Sequence, residues 1–349
     1  MSSTVVSINL VVLNGEKYIR HCLDAIKSQS YPHNLIEINI LDNGSSDSTK
    51  KIIRENKLYF SDFMKFELIE SNKNYGTWPG QEELFKYSQG KYIVALSVDV
   101  ILDKDFVLNS VKVMDGDCKV GALQAKIYNY SIIEGSISKT RILDTLGFEI
   151  YKSRRIANIG HGVEDMGQYD NDGELKEIFA VEGAVPVINR DAIDDCRIEG
   201  NFIDPDYFWY GDDLDWAWRM NMMSWKQVYA PNVVAFHDRQ TTKTVRKNWF
   251  DYFKRIPIRR QIPIRKRRLD WRNVRFTIIK NDYTINILKD LPRIAVRELM
   301  VLIYSLFFEI QVLAEVPNLL RQISTLLRRR NELMKKASVS PKEIRKWYK

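Results

Sequence analysis

The chain has 349 residues, is 45% hydrophobic and 28% charged, and sets 53 Lys and Arg against 45 Asp and Glu. That apolar fraction can build a core, which excludes collagen-like, low-complexity and wholly disordered classes. The length fits one large domain with an appendage, or two domains. Cys22, Cys118 and Cys196 are odd in number and far apart. No disulfide framework or zinc pattern fits them, so a reducing, cytoplasmic setting is expected. The opening MSSTVVSINLVVLN lacks a basic leader, and Ser7 and Asn9 break its apolar run. It reads as a first strand and not as a signal peptide.

In chain order, VVSINLVVL (5–13) is a predicted strand, and 16–29 a helix with Ile19, Cys22, Leu23 and Ile26 on one face. Residues 35–42 are a strand and 44–56 a Ser-capped helix. Residues 65–71 form a strand, followed by a helix within PGQEELFKYSQG that Gly90 ends. KYIVALSVDV (91–100) is almost continuously apolar, as in a strand buried on both faces. This alternation predicts a mainly parallel α/β sheet with helices on its faces. Ligands then bind beyond the carboxyl ends of the strands, which singles out Asn14, Asp42 and Asp99. Further on come a strand-like stretch at 179–190, an acidic-aromatic segment IDPDYFWYGDDLDWAWRM (203–220) and a strand at 227–238.

Four features carry chemistry. In LDNGSSDST (41–49) a strand runs through Asp42 and Asn43 into small hydroxyl residues. The aspartate suits a base or ribose, while turn and cap formation is the structural alternative. Asp99 ends a buried strand, where a carboxylate is costly unless it holds something cationic. Mg²⁺ on one or two carboxylates, completed by phosphate oxygens and water, would serve; capping a helix near Asp103 is the alternative. Asp212, Asp213 and Asp215 fall in the first turn of a helix, where the dipole favours negative charge and a pocket could use a general base. Trp209 and Tyr210 before them offer an apolar wall to a sugar. His237 closes the last strand, and imidazole suits Mn²⁺ better than Mg²⁺.

In this order, VVLNGEKYI, LDNGSSDST, NKNYG (72–76), LSVDVIL (96–102), VEGAVPVINRDAI (181–193), YFWYGDDLDWAWRM and YAPNVVAFHDRQTT (229–242) resemble the family-2 glycosyltransferases of GT-A fold. KNDYTINILKDLPRIAVREL (280–299) and KEIRKWYK (342–349) look like the rhamnosyltransferase-like branch that builds cell-surface polysaccharides. The resemblance implies a GT-A domain over 1–240 and a basic, helical region over 241–349. It implies inverting transfer from a nucleotide-diphosphate sugar, dTDP-rhamnose or a UDP-hexose, to a saccharide or polyprenyl-linked acceptor. Asn14, Asp42, Asn43, Gly76 and the Ser97-Val98-Asp99 strand end would line the nucleotide pocket, with Gly183, Ala184 and Trp209 around the sugar. Asp213 would be the base, with Asp212 its neighbour in the acidic pair, and Asp99 with His237 would hold Mg²⁺ or Mn²⁺. Ser97 stands where the family has the first aspartate of D-x-D, and the Q-x-x-R-W motif of processive synthases is absent.

Between Lys243 and Arg275 there are 13 Lys and Arg against two Asp, interleaved with Trp249, Phe250, Tyr252, Phe253 and Trp271. Nucleic-acid binding, a membrane anchor and a helix lying on a membrane surface all compete for this region. LMVLIYSLFF (299–308) is too short to span a bilayer and long enough for an interfacial face. Peripheral attachment to the cytoplasmic face is favoured, with ordinary packing of a solvated basic region beside it. A non-enzymatic nucleic-acid-binding α/β protein is the rival from another class. It leaves Asp42, Asp99 and Asp213 without a purpose, so no nucleic-acid partner is expected.

Overall fold

The computed structural model describes residues 3–239, 256, 257 and 259–349. The segment carrying Trp249, Phe250, Tyr252 and Phe253 lies outside the described residues, as does the end of the 229–242 motif.

The first half lays down β1 (Val6–Val12), α1 (Ile19–Lys27), β2 (Ile36–Asp42), α2 (Thr49–Asn56), β3 (Lys65–Glu70), α3 (Thr77–Phe85), β4 (Tyr92–Ser97), β5 (Val100–Leu102) and α4 (Phe106–Gly116). Every residue of β1 and β2 is buried, as strands covered by helices on both faces require. Next come β6 (Val120–Ile133), β7 (Ser136–Thr145), β8 (Phe148–Ile150), β9 (Ile156–Asn158), β10 (Lys176–Glu177), β11 (Val187–Asn189), α5 (Arg190–Asp195), α6 (Asp212–Met222) and β12 (Lys226–His237). The C-terminal part is helical: α7 (Ile264–Asn281), α8 (Thr284–Phe308), α9 (Val316–Lys336) and α10 (Pro341–Arg345).

Ten of the described strands form one sheet in the order β10-β12-β6-β11-β4-β1-β2-β3, with β5 added to β12 and β7 to β6, while β8 and β9 pair with each other. β4, β1, β2 and β3 are parallel, β11 is antiparallel to β4 and β6, and β12 runs parallel to β6. The sheet is therefore mixed and mainly parallel in its first half. Its register matters for the site: Val12 pairs with Asp42, Val11 with Ser97, and His237 with Val100. Three loops and the end of β12 thus meet along one edge.

Several boundaries differ from expectation. α2 starts at Thr49, and the Ser48 side chain makes no capping bond; the Thr49 amide donates to Asp47 Oδ1 at 3.0 Å instead. α3 begins at Thr77 and stops at Phe85, before Gly90; Gly90 instead lies where a Cβ would strike the Ser7 amide. The strand expected over 91–100 is broken at Val98 and Asp99 into β4 and β5. Of the stretch 179–190 only Val187–Asn189 is strand.

The C-terminal chain packs back onto the sheet domain. Leu333, Ile344 and Tyr348 join the core cluster of Phe179, Trp216 and Trp218, and Lys349 donates its amide to the Ile150 carbonyl at 3.0 Å. The RRR run reads from sequence as a basic tail, but two of its arginines are in ion pairs and Arg330 donates to the Ile279 carbonyl and Thr284 Oγ1. Arg328 and Arg329 bind Glu199, and Arg329 also holds Asp204 and Asp206.

Candidate active site

Two loops beyond the parallel strands are stitched together first. Asn14 adopts a left-handed backbone, φ 50°. Its amide donates to Ser45 Oγ at 2.9 Å, and its Oδ1 accepts from the Ser46 amide at 2.8 Å. Gly15 donates to Thr49 Oγ1 at 2.8 Å, and a side chain at Gly15 would press on Val12 and Val98. The hydroxyls of the SSDST run therefore bind the β1 loop and do not cap α2.

Asp42 is fully buried beneath these loops. Its Oδ2 accepts from the Ser45 amide at 3.2 Å and faces Lys50 Nζ at 3.6 Å. Its Oδ1 has no protein partner, a cost that an N–H donor from a ligand would relieve. Asn43 differs from expectation: its Nδ2 donates to Gly76 O and Asn74 Oδ1 while its Oδ1 accepts from the Tyr75 amide. It shapes the pocket by fixing the 72–76 loop, and its amide is not free for a nucleotide. Gly76, at φ 99°, lies against the Phe208 carbonyl and admits no Cβ.

At the other side of the edge the charges alternate. His237 sits between two carboxylates, with Nδ1 2.8 Å from Asp144 Oδ2 and Nε2 3.4 Å from Asp99 Oδ2. Arg239 Nε lies 2.6 Å from Asp144 Oδ1, and its Nη2 donates to Glu182 Oε1 at 2.6 Å. Burial works against the imidazolium, but Asp99 and Asp144 together push its pKa up to about 10. Burial likewise raises Asp99, and the charge of His237 reverses this to a net lowering. Asp99 is no helix cap, since α4 begins at Phe106.

The cluster fits a divalent cation in chemistry if not in number. A hard carboxylate from the β4–β5 turn and an imidazole from the end of β12 converge, and the ring would yield its Nε2 proton to a bound cation. The other ring nitrogen is held by Asp144, the support that metal-binding histidines usually have. Among the described residues no group of three or more His, Cys, Asp or Glu side chains could hold a metal ion. A cation on Asp99 and His237 therefore needs substrate oxygens and water to complete its shell. Ser97 and Val98 flank this turn, with the Ser97 amide donating to the Ala184 carbonyl at 3.0 Å.

Asp213 lies in the first turn of α6, beyond a left-handed Tyr210-Gly211 pair. Its Oδ2 accepts from the Gly183 amide at 3.1 Å and its Oδ1 from the Leu214 amide at 2.9 Å. Burial first, then the charge of Glu182, raises it to about 7 against the pull of those two amides and Arg239. Asp212 is a different group. Its two oxygens are buried without a partner, and burial beside Asp213 pushes its pKa well above the ordinary value. It is turned inward, so of the acidic pair only Asp213 is placed to act. Asp215 is taken up in the core, bridged to Arg219 at 3.0 Å and Lys280 at 2.8 Å. A Cβ on Gly183 would meet both Asp213 and the indole nitrogen of Trp78, so glycine is needed where β-sheet and helix close on each other. Ala184 is buried, its amide donating to Glu182 Oε2 at 2.9 Å.

Four contributors escape a reading of sequence: Asp144, Glu182, Arg239 and Lys266. Arg239 and Glu182 adjoin motifs already singled out, His237 and Gly183. Asp144 lies on the β6–β7 hairpin with no local signal. Lys266 comes from α7 and is only 5% exposed, its Nζ 3.9 Å from the ring centre of Tyr210 and 5.3 Å from that of Trp209. Burial lowers its pKa to about 8. A separate hollow of about 410 Å³ opens beside β3, between Ser71, Tyr75 and Tyr87, away from Asp99 and Asp213.

A mixed, mainly parallel sheet flanked by helices and followed by a helical C-terminal region is the GT-A fold. Residues 7–167 match the model of Glycosyl transferase family 2, so this stretch is a family-2 glycosyltransferase domain. It is 22% identical over 243 residues to the glycosyltransferase AglE of Haloferax volcanii, covering 68% of each chain. It is also 22% identical over 233 residues to the poly-β-1,6-N-acetyl-D-glucosamine synthase of Staphylococcus epidermidis, spanning about half (49%) of that protein. The mannosyltransferase PcManGT of Pyrobaculum calidifontis, solved with GDP-Man and Mn²⁺, superimposes with a TM-score of 0.52 at 16% identity, over 95% of this chain and 86% of that one. The matched stretch is that of a glycosyltransferase, and the nucleic-acid-binding alternative is not favoured.

Proposed function

We propose that the protein moves a sugar from a nucleotide-diphosphate sugar to an acceptor hydroxyl with inversion at the anomeric carbon. The observation that carries this is Asp213: a carboxylate held at a helix start by two amides and tuned to about 7, where a general base at neutral pH should sit. Asp42 and the Asn14 loop would receive the nucleoside, the free Asp42 oxygen accepting from the base. Asp99 and His237 would hold a divalent cation, which when bound neutralises charge on the leaving diphosphate. Asp213 would take the acceptor proton as the hydroxyl attacks, a role worth ~10²–10⁴ in rate. The Gly183 amide keeps its carboxylate aimed, and the Arg239–Glu182 pair sets its charge environment. The Mn²⁺ and GDP-Man held by PcManGT agree in kind with this reading.

The donor class we favour is dTDP-rhamnose or a UDP-hexose, with a saccharide or polyprenyl-linked saccharide as acceptor. Thermal-shift screening of the full chain against dTDP-, UDP- and GDP-sugars, with and without Mn²⁺ or Mg²⁺, tests it. Stabilisation by a dTDP- or UDP-sugar that grows with metal is expected; no shift with any nucleotide sugar contradicts the reading.

We also place the protein on a membrane surface, and α8 supports this. Val296, Leu299, Met300, Leu306 and Phe307 are each at least 50% exposed on that helix. Lys289 and Arg293 are exposed beside them, where long cationic side chains reach lipid headgroups. No single described helix is long and apolar enough to cross a membrane; α8 and the segment Ile310–Lys336 pass that test only together, bent by 117°. The basic stretch contributes less than its composition suggests. Arg259, Arg268 and Arg275 are paired with Glu309, Glu315 and Glu298.

A further inference from the structure

Two lysines lie on one buried face of α7, and their surroundings differ. Lys280 is paired with Asp204 and with Asp215, as a buried ammonium ordinarily must be. Lys266, four turns earlier, is as deeply set and faces only the rings of Tyr210 and Trp209. Among the described residues no carboxylate comes within ion-pair distance of it, and no hydrogen bond binds its Nζ. The nearby acids are engaged by other cations: Asp270 faces Arg259 at 3.9 Å, Glu182 is paired with Arg239, and Asp99 with His237. Lys266 is therefore a surplus positive charge held out of water.

Its position is fixed and not incidental. Asn273, two turns on along the same face, donates to the Trp209 carbonyl at 3.0 Å and to the Tyr210 carbonyl at 2.6 Å. Arg272 donates to the Asp206 carbonyl at 2.9 Å, and the Arg265 guanidinium lies 4.3 Å from the Phe208 ring centre. The loop clamped in this way reaches Gly76 at one end and Asp213 at the other. The ammonium thus sits beside the loop that joins Gly76 to Asp213, within electrostatic reach of Asp270 first and then of Glu182 and Asp99. The anion that the reaction brings to that place is a diphosphate.

We propose that Lys266 is a donor-binding residue whose ammonium takes the diphosphate of the nucleotide sugar, so that α7, beyond the family-matched residues 7–167, completes the donor site. The assignment rests on the donor-site reading above. Three N–H donors on a flexible stem suit phosphate oxygens as a point charge, and desolvation by Tyr210 and Trp209 strengthens the attraction.

The test uses the full chain with Mn²⁺ and its Lys266→Met and Lys266→Arg variants. UDP, dTDP and GDP binding is measured by calorimetry, and the corresponding nucleosides by ligand-observed NMR. Lys266→Met should weaken the tightest-binding diphosphate at least tenfold, leave its nucleoside unchanged, and melt no lower than wild type without nucleotide, since no ion pair is lost. Lys266→Arg should recover most of the affinity. Unchanged diphosphate affinity in Lys266→Met, or equal weakening of nucleoside and diphosphate, overturns the assignment alone. A wild-type protein that binds no nucleoside diphosphate overturns the donor-site reading and the assignment with it.

Discussion

Asp213 is asked to accept a proton near neutral pH, and an ordinary aspartate is too weak a base to do so well. Burial and the charge of Glu182 lift it to about 7, while the amides of Gly183 and Leu214 keep it from rising further. The sign of the pH dependence follows. The carboxylate acts when ionised, so kcat/KM should climb with pH below about 7 and level off above it. Replacing Glu182 with Gln removes the second raising influence and frees Arg239 to pull Asp213 lower. The acid limb of the Glu182→Gln profile should therefore shift to lower pH, and an identical limb in both proteins would contradict this origin of the tuning. At this scale the sequence was informative wherever a residue ends a strand or starts a helix. Asp42, Asp99 and His237 were legible because strand ends in a parallel sheet share an edge, and Asp213 because it lies in the first turn of a helix. The partners that set their charge were not. Asp144 is 93 positions from His237, and only the pairing of β12 with β6, and of β6 with β7, brings them together.

Elements fared unevenly for a similar reason. β1, β2 and α1 follow their hydrophobic periodicity closely, because each buries its apolar positions against immediate neighbours. Breaks such as Val98-Asp99 and the late start of α2 answer to contacts across the fold, with Asn14 and Gly15 bound to the hydroxyls of Ser45 and Thr49. The C-terminal helices are held by charge that a basic composition conceals. Arg154, on the turn between β8 and β9, is fully buried with Asp282 at 2.6 Å and Asp290 at 2.8 Å. Asp290 also accepts two bonds from Arg345, and Asp282 one from Tyr348. One guanidinium thus joins the sheet domain to α8, α10 and the C-terminal residues. Arg154→Met leaves Asp290 to Arg345 but takes from buried Asp282 its guanidinium partner, and should cost about 3–5 kcal/mol. Denaturant unfolding monitored by tryptophan fluorescence checks this, and a loss below about 1 kcal/mol would show that the network is dispensable.

For the molecule as a whole, the division expected near residue 240 is a boundary of composition more than of packing. Described residues on both sides share one hydrophobic cluster, and Lys266 and Asn273 reach back to the Trp209–Tyr210 loop. We retain the two-part organisation as a proposal: a catalytic sheet domain, and a helical region that lends it a wall and an outer apolar face. If that face meets lipid, the full chain should float with anionic liposomes. Val296→Glu with Phe307→Glu, both at exposed positions, should abolish flotation without lowering Tm. Flotation unchanged in the double variant, or absent in wild type, would remove α8 from the membrane.

The proton acceptor decides whether the cleft works as described. Single-turnover sugar transfer by Asp213→Asn, compared with wild type at saturating donor and paired with calorimetric titration of the same donor, addresses it directly. Transfer should fall by ~10²–10⁴ while donor affinity stays within a few-fold of wild type. Near-normal transfer by Asp213→Asn would contradict the assignment of this carboxylate as the base.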